Sequence, residues 1–246
     1  MKVVEPSGLM REAAEVLGPV RDDVTVIGAV AVQIALDGHE LPFTPTADVD
    51  AGILVERAPQ VVAHLEKHGL RRSQEEHERS FTWVKDGLKV QLVRPFDPFP
   101  KPPADGLPVN TLIPEATRHR WLVAFDDKPD SGRLWAARPA ALVALKKVAF
   151  GRTRPSGEKV DRDFSDVVLL FDNESERIAD EVSSDGQMRL RIEGAAVHLE
   201  TDSDAMNAAV RELVASGHSE DARQAEAVVV RSLRTIRAAM APDDPS

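Results

Sequence analysis

The chain has 246 residues, 42% of them apolar and 29% charged, with a formal net charge of −10 and no cysteine. That length suffices for one large domain or two small ones with a substantial core, and the lack of cysteine excludes disulfides, thiolate metal sites and cysteine nucleophiles. The acidic balance argues against a broad phosphate-gripping face, and the absence of tyrosine argues against a base-stacking platform.

The longest apolar run, Val26 to Leu36, is broken by Gly28 and Gln33 and is too short to cross a bilayer. No basic segment followed by an apolar stretch opens the sequence, so no signal peptide is expected. A cytoplasmic location without membrane association is the expectation. No internal repeat and no low-complexity tract interrupts the chain.

In chain order, Ser7 is placed to cap a short helix with Leu9, Ala13, Val16 and Leu17 on one face and Gly18 closing it. Val24 to Ile27 reads as a buried strand ending at Gly28, and Ala29 to Leu36 as a helix ended by Asp37-Gly38-His39. Two prolines make Leu41 to Thr46 a loop. Val49 to Val55 is a second strand, and Pro59 to His68 an amphipathic helix stopped by Gly69. Ser80 to Val84 and Leu88 to Arg94 form a hairpin across Asp86-Gly87. Six prolines make Pro95 to Pro108 an ordered or semi-rigid loop. Trp121 to Phe125 and Arg133 to Ala136 read as short strands around a turn at Asp126 to Gly132. From Pro139 the chain turns helical. One late helix is expected to start at Ser203 or Asp204 and end near Gly217. Another starts at Ser219, with Glu220 and Asp221 in its first turn. The expected class is α+β: a mixed sheet flanked by helices over residues 1–137, then a helical domain over 138–246.

The chemistry-bearing residues begin with Asp48 and Asp50. Residues two apart on a strand face the same side, roughly 6.5–7 Å apart. Two carboxylates so placed repel one another unless a cation lies between them, and hard ions such as Mg2+ prefer oxygen ligands. Two ions about 3.5–4 Å apart would clamp the attacking and leaving oxygens of a phosphoryl displacement. Upstream, Gly28 permits a tight turn and a close backbone approach. The N-terminus of the helix that follows suits a phosphate. One element thus favours an anion and the next a cation, as a nucleoside triphosphate with magnesium requires. Thr46 stands two residues before Asp48, where its hydroxyl reaches a phosphate or caps the loop. Positive charge gathers at Arg71-Arg72, at Arg118-His119-Arg120, and from Arg138 through Lys146, Lys147, Arg152 and Arg154. No His-Glu-x-x-His, Gly-x-Ser-x-Gly or Walker-type loop is present.

Val26-Ile27-Gly28-Ala29-Val30-Ala31, Gly38-His39 and Thr46-Ala47-Asp48-Val49-Asp50 together resemble the nucleotidyltransferase signature of the DNA polymerase β-type superfamily. Leu142-x-x-x-Lys146-x-x-Ala149, then Arg152, then Arg162-Asp163-Phe164-Ser165-Asp166 bring the resemblance closer to the AbiEii-like branch, which includes toxins of type IV toxin–antitoxin systems. The likeness covers about residues 24–55 and 138–172. It implies a nucleotidyltransferase-like core with Gly28, Ala29, Thr46 and Arg152 around the nucleotide. Asp48 and Asp50 would hold Mg2+ or Mn2+, and Lys146, with Lys147 as the alternative, would neutralise phosphate. Asp163 and Asp166 would close the site as metal-linked or base-like carboxylates or as helix anchors. The implied reaction moves a nucleoside monophosphate from an NTP to an acceptor. That acceptor is tRNA, as in toxin relatives, or a small molecule of aminoglycoside type, whose positive charge the acidic chain suits. A protein antitoxin is the implied partner.

Three departures stand out. Ala29 replaces the usual Gly or Ser, the gap from Ala29 to Asp48 is long, and Gln91 stands where many relatives carry a third carboxylate. Glutamine takes up no proton there. Either Asp163 or Asp166 substitutes, or the chain is a weakened or inactive nucleotide-binding relative.

Overall fold

The computed structural model describes residues 2–4, 7–41, 46, 48–75, 81–95, 110–125, 132–150 and 161–241. The chain divides into two compact units, residues 1–37 with 45–141 and residues 38–44 with 142–246. The boundary read from the sequence lay at 137/138. The first unit is an α/β structure built on a mixed eight-stranded sheet, and helices dominate the second, as the α+β expectation requires.

The strands of the first unit are β1 (Lys2–Val4), β2 (Val24–Ile27), β3 (Asp48–Ile53), β4 (Arg71–Arg72), β5 (Thr82–Lys85), β6 (Leu88–Val93), β7 (Arg120–Phe125) and β8 (Arg133–Ala137). Their order is β1-β7-β8-β2-β3-β6-β5-β4. β3 lies antiparallel to β2 and parallel to β6, so it is central and paired on both sides. The β5–β6 hairpin turns at Asp86-Gly87, both at positive φ of 49° and 94°, as the sequence pair demands.

Helices α1 (Gly8–Leu17), α2 (Gly28–Leu36), α3 (Ala58–Lys67) and α4 (Ile113–Arg118) belong to this unit. Ser7 caps α1 by accepting from the Met10 amide at 3.3 Å. α2 is apolar almost all round and is correspondingly buried from Val30 to Leu36 save Gln33.

β1, β4 and α4 escaped the sequence reading. β1 has three residues, and β4 is two exposed arginines that pair with β5. α4 has six residues with Pro114 in its first turn, too short for a helical period to register.

Helix α5 (Pro139–Ala149) spans the division between the units. The second unit continues with α6 (Arg162–Val182), α7 (Gly186–Thr201), α8 (Ser203–Ala215) and α9 (Ala222–Ala239). α6 packs against α7, α8 and α9. α8 starts at Ser203, one of the two expected positions, and Asp202 caps it, accepting from the amides of Asp204 and Ala205 at 2.9 and 3.2 Å. α9 starts after Asp221 rather than at Ser219. Asp221 is its cap, accepting from Gln224 at 2.8 Å, so no acidic residue lies in its first turn. In both cases an aspartate two or three residues from free amides outcompetes the serine nearby. α6 is kinked at Glu174, which has φ −124°. Its buried carboxylate takes His39 Nε2 at 3.0 Å and Arg177 at 2.7 Å.

No helix among the described residues is long and apolar enough to cross a membrane. The sequence loop at 95–108 and the turn at 126–132 lie largely outside the described residues.

Phe171 is fully buried in α6. Phe171→Ala is expected to lower the stability of the full chain by about 3–5 kcal/mol, read from urea unfolding followed by circular dichroism.

Candidate functional site

In the first unit, one end of the sheet gathers the residues singled out in the sequence. β2 ends at Ile27, which pairs with Asp50, and the chain turns at once into α2 through Gly28 at φ +66°. On β3, Asp48 and Asp50 alternate with buried Val49 and Ala51, so both carboxylates stand on one face. A Cβ built on Gly28 would lie 2.0 Å from Asp50 Oδ2. The carboxylate therefore fills the space of a missing side chain at the start of α2. A negative charge there is favoured by the positive end of the helix dipole. Further along the same face of β3, Gly52 leaves room for Ile113 of α4, which a Cβ would meet at 2.9 Å.

Asp48 is held from two sides. Gln91 of β6 donates its Nε2 to Asp48 Oδ2 at 2.7 Å. Thr46 donates its hydroxyl toward Asp48 Oδ1 at 3.2 Å and the Asp48 carbonyl at 3.3 Å. Register explains the first contact: Asp50 pairs with Gln91 and Asp48 with Lys89, so Gln91 and Lys89 share the face of the two carboxylates. Lys89 was not singled out in the sequence. The signal was its two-residue spacing from Gln91, together with the parallel pairing that aligns it with Asp48.

Magnesium is usually bound by one or two protein carboxylates plus water and substrate oxygens. Asp48 and Asp50 fit that donor set for a single divalent cation. Among the described residues, no group of three or more His, Asp and Glu side chains forms a metal-binding cluster.

The second unit contains the other sequence block. Lys146 of α5 extends its ammonium to Asp163 Oδ1 and Asp166 Oδ2 of α6, at 2.7 Å each. The spacing of three places both aspartates on one face of the first turns of α6. All three side chains are buried. Asp166 Oδ2 makes no aligned hydrogen bond, so its contact with Lys146 is an ion pair in the strict sense. Burial disfavours the ammonium charge, yet Asp166 and Asp163 outweigh it and raise the Lys146 pKa above its ordinary value. Lys146 is thus a buried lysine rather than a surface one, and its charged form is favoured. Lys147, the alternative, is half-buried and lies beside Gly194 of α7.

Gly28, Thr46, Asp48 and Asp50 are therefore brought together within the sheet unit, and Lys146, Asp163 and Asp166 within the helical one. Ala29 is the second residue of α2. His39, part of the Gly-His pair in the sequence signature, is bonded to Glu174. Arg152 lies outside the described residues. The chain matches no protein-family model and no curated protein.

Two outcomes follow from these geometries. Gly28→Ala forces an L-residue into left-handed backbone, at roughly 1–2 kcal/mol, and drives a methyl into Asp50. A lowered thermal midpoint is expected. Lys146→Met strands two buried carboxylates and is expected to cost about 3–5 kcal/mol. In the unsubstituted chain the folded Lys146 pKa lies above its ordinary value of 10.5. Its stabilisation is therefore complete below that value and is lost only as pH rises through the higher folded pKa. Urea unfolding from pH 5 to 11 checks both.

Proposed function

We propose that the protein is a metal-dependent nucleotidyltransferase, moving a nucleoside monophosphate from a nucleoside triphosphate to an acceptor hydroxyl. The observation that carries this reading is the seating of Asp50 against Gly28 with Asp48 beside it. An anion-favouring helix start and a two-carboxylate face meet there, and a nucleotide with its cation needs both. The order of Gly28-Ala29, Asp48-x-Asp50, Lys146 and Asp163-x-x-Asp166 supports it, by its resemblance to polymerase β-type transferases and their AbiEii-like branch.

In the reaction, the acceptor oxygen bonds to the α-phosphorus. The bond from that phosphorus to the bridging oxygen breaks, pyrophosphate leaves, and the hydroxyl proton passes to water. Asp48 and Asp50 would hold a Mg2+ or Mn2+ ion, which would neutralise phosphate charge. Thr46 keeps Asp48 oriented, and the glycine at position 28 gives the phosphate-binding helix start its close backbone approach. By the resemblance Lys146 would neutralise phosphate charge, and Asp166 and Asp163 beside it favour its protonated form. In this reading those two aspartates anchor the lysine.

Gln91 favours a second reading, a nucleotide-binding regulatory protein without turnover, since an amide beside Asp48 accepts no proton from an attacking hydroxyl.

The test is incubation with Mg2+, each NTP labelled at the α-phosphate, and either total tRNA or an aminoglycoside. Transfer of label to one acceptor is expected, with Asp48→Ala reducing it by roughly 100-fold or more. Transfer that survives both Asp48→Ala and Lys146→Ala sinks the site assignment. Saturable NTP binding without transfer to either acceptor selects the second reading.

A further inference from the structure

Asp48 and Asp50 lie on one strand face, yet they are restrained by unlike neighbours. Asp50 rests in the side-chain space of Gly28. Asp48 has one carboxylate oxygen on Gln91 and the other on Thr46. An ionised carboxylate only accepts hydrogen bonds. The 2.7 Å contact with Gln91 therefore requires the amide NH2, not its oxygen, to point at Asp48. That fixes the direction of the dipole: its positive end faces the carboxylate.

Gln91 sits directly opposite Asp50 in the β3–β6 ladder and reaches diagonally to Asp48. It touches the space between the two carboxylates without adding charge to it. The pair then carries two negative charges, enough to balance one divalent cation and not two. The same hydrogen bond stops the Asp48 carboxylate from rotating, as an outer partner of a metal ligand does.

We propose that Gln91 is a positioning residue that orients Asp48 and limits the Asp48–Asp50 pair to a single divalent cation. This rests on the reading of that pair as a metal site, but it is tested without nucleotide or turnover.

The experiment is Mn2+ titration of the full chain followed by electron paramagnetic resonance, with Mg2+ as competitor. The unsubstituted protein is expected to bind one Mn2+ per chain, displaced by Mg2+ and lost in Asp48→Asn. Gln91→Leu, which removes the donor, is expected to weaken that binding by roughly 10–100-fold. Gln91→Glu keeps the shape and adds a charge. It is expected to melt below the unsubstituted protein in EDTA, because three carboxylates then crowd one face, and to gain more from Mn2+ than the unsubstituted protein does. A purely structural glutamine would not make the metal rescue the glutamate variant.

Two Mn2+ ions per unsubstituted chain, both lost in Asp48→Asn, would overturn the single-cation limit while leaving the transferase reading intact. Equal Mn2+ affinity in Gln91→Leu and the unsubstituted chain, or no extra Mn2+ stabilisation of Gln91→Glu, would overturn the positioning role. Absence of any Mn2+ binding sensitive to Asp48→Asn would overturn this proposal together with the metal-site reading beneath it. Failure of label transfer with single-ion binding preserved would instead count against turnover alone and support the inference.

Discussion

Position 28 has no side chain because the carboxylate of Asp50 is already there. A Cβ at that point would come within 2.0 Å of Asp50 Oδ2, far inside any tolerable contact. The geometry of this end of the sheet follows from this approach. It fixes how β2 passes into α2, and through the Ile27–Asp50 pairing it fixes the register of β3. A slip of one residue would turn both aspartates to the opposite face. The register of β3 against β6 then decides which residues meet the carboxylates, and it selects Lys89 and Gln91.

The helical unit solves a different electrostatic problem. A lysine buried alone would lose its proton, and two aspartates buried alone would gain theirs. Together they satisfy one another: the Lys146 ammonium lies 2.7 Å from a carboxylate oxygen of Asp163 and of Asp166. Their contacts join α5 to the first turns of α6, so the same three residues tie two helices and hold one ammonium at a defined point. An apolar trio would pack as well, but it would not keep a charge there.

Much of this was legible in the sequence because the signals were local. Gly28 stood between an apolar strand and an apolar helix, Asp-x-Asp lay on a strand, and Asp-Gly closed a hairpin. The late helices are visible too: α8 starts at Ser203, within the expected Ser203–Asp204, whereas α9 starts after Asp221 and not at Ser219, because Asp221 holds the free amide of Gln224 at 2.8 Å. What stayed hidden was non-local. Nothing in the spacing of Gln91 from Asp48 states that they share a hydrogen bond, because that contact exists only through the parallel pairing of β3 with β6. Lys89 was passed over for the same reason. Lys146 was visible as a motif residue. Its double pairing was not: metal-linked or base-like carboxylates and helix anchors all fit Asp163 and Asp166 in the sequence, and only the packing of α5 on α6 brings both to one ammonium.

The β3–β6 pairing has a consequence for the order in which the protein comes into being. Asp48 and Gln91 are 43 residues apart, and a parallel ladder must wait for the whole intervening crossover to be threaded before its bonds can close. During synthesis, Asp48 and Asp50 emerge well before the strand that aligns them. A nascent chain thus carries both carboxylates for some time without the arrangement that makes them a matched pair. This end of the sheet is complete only once β6 has paired with β3.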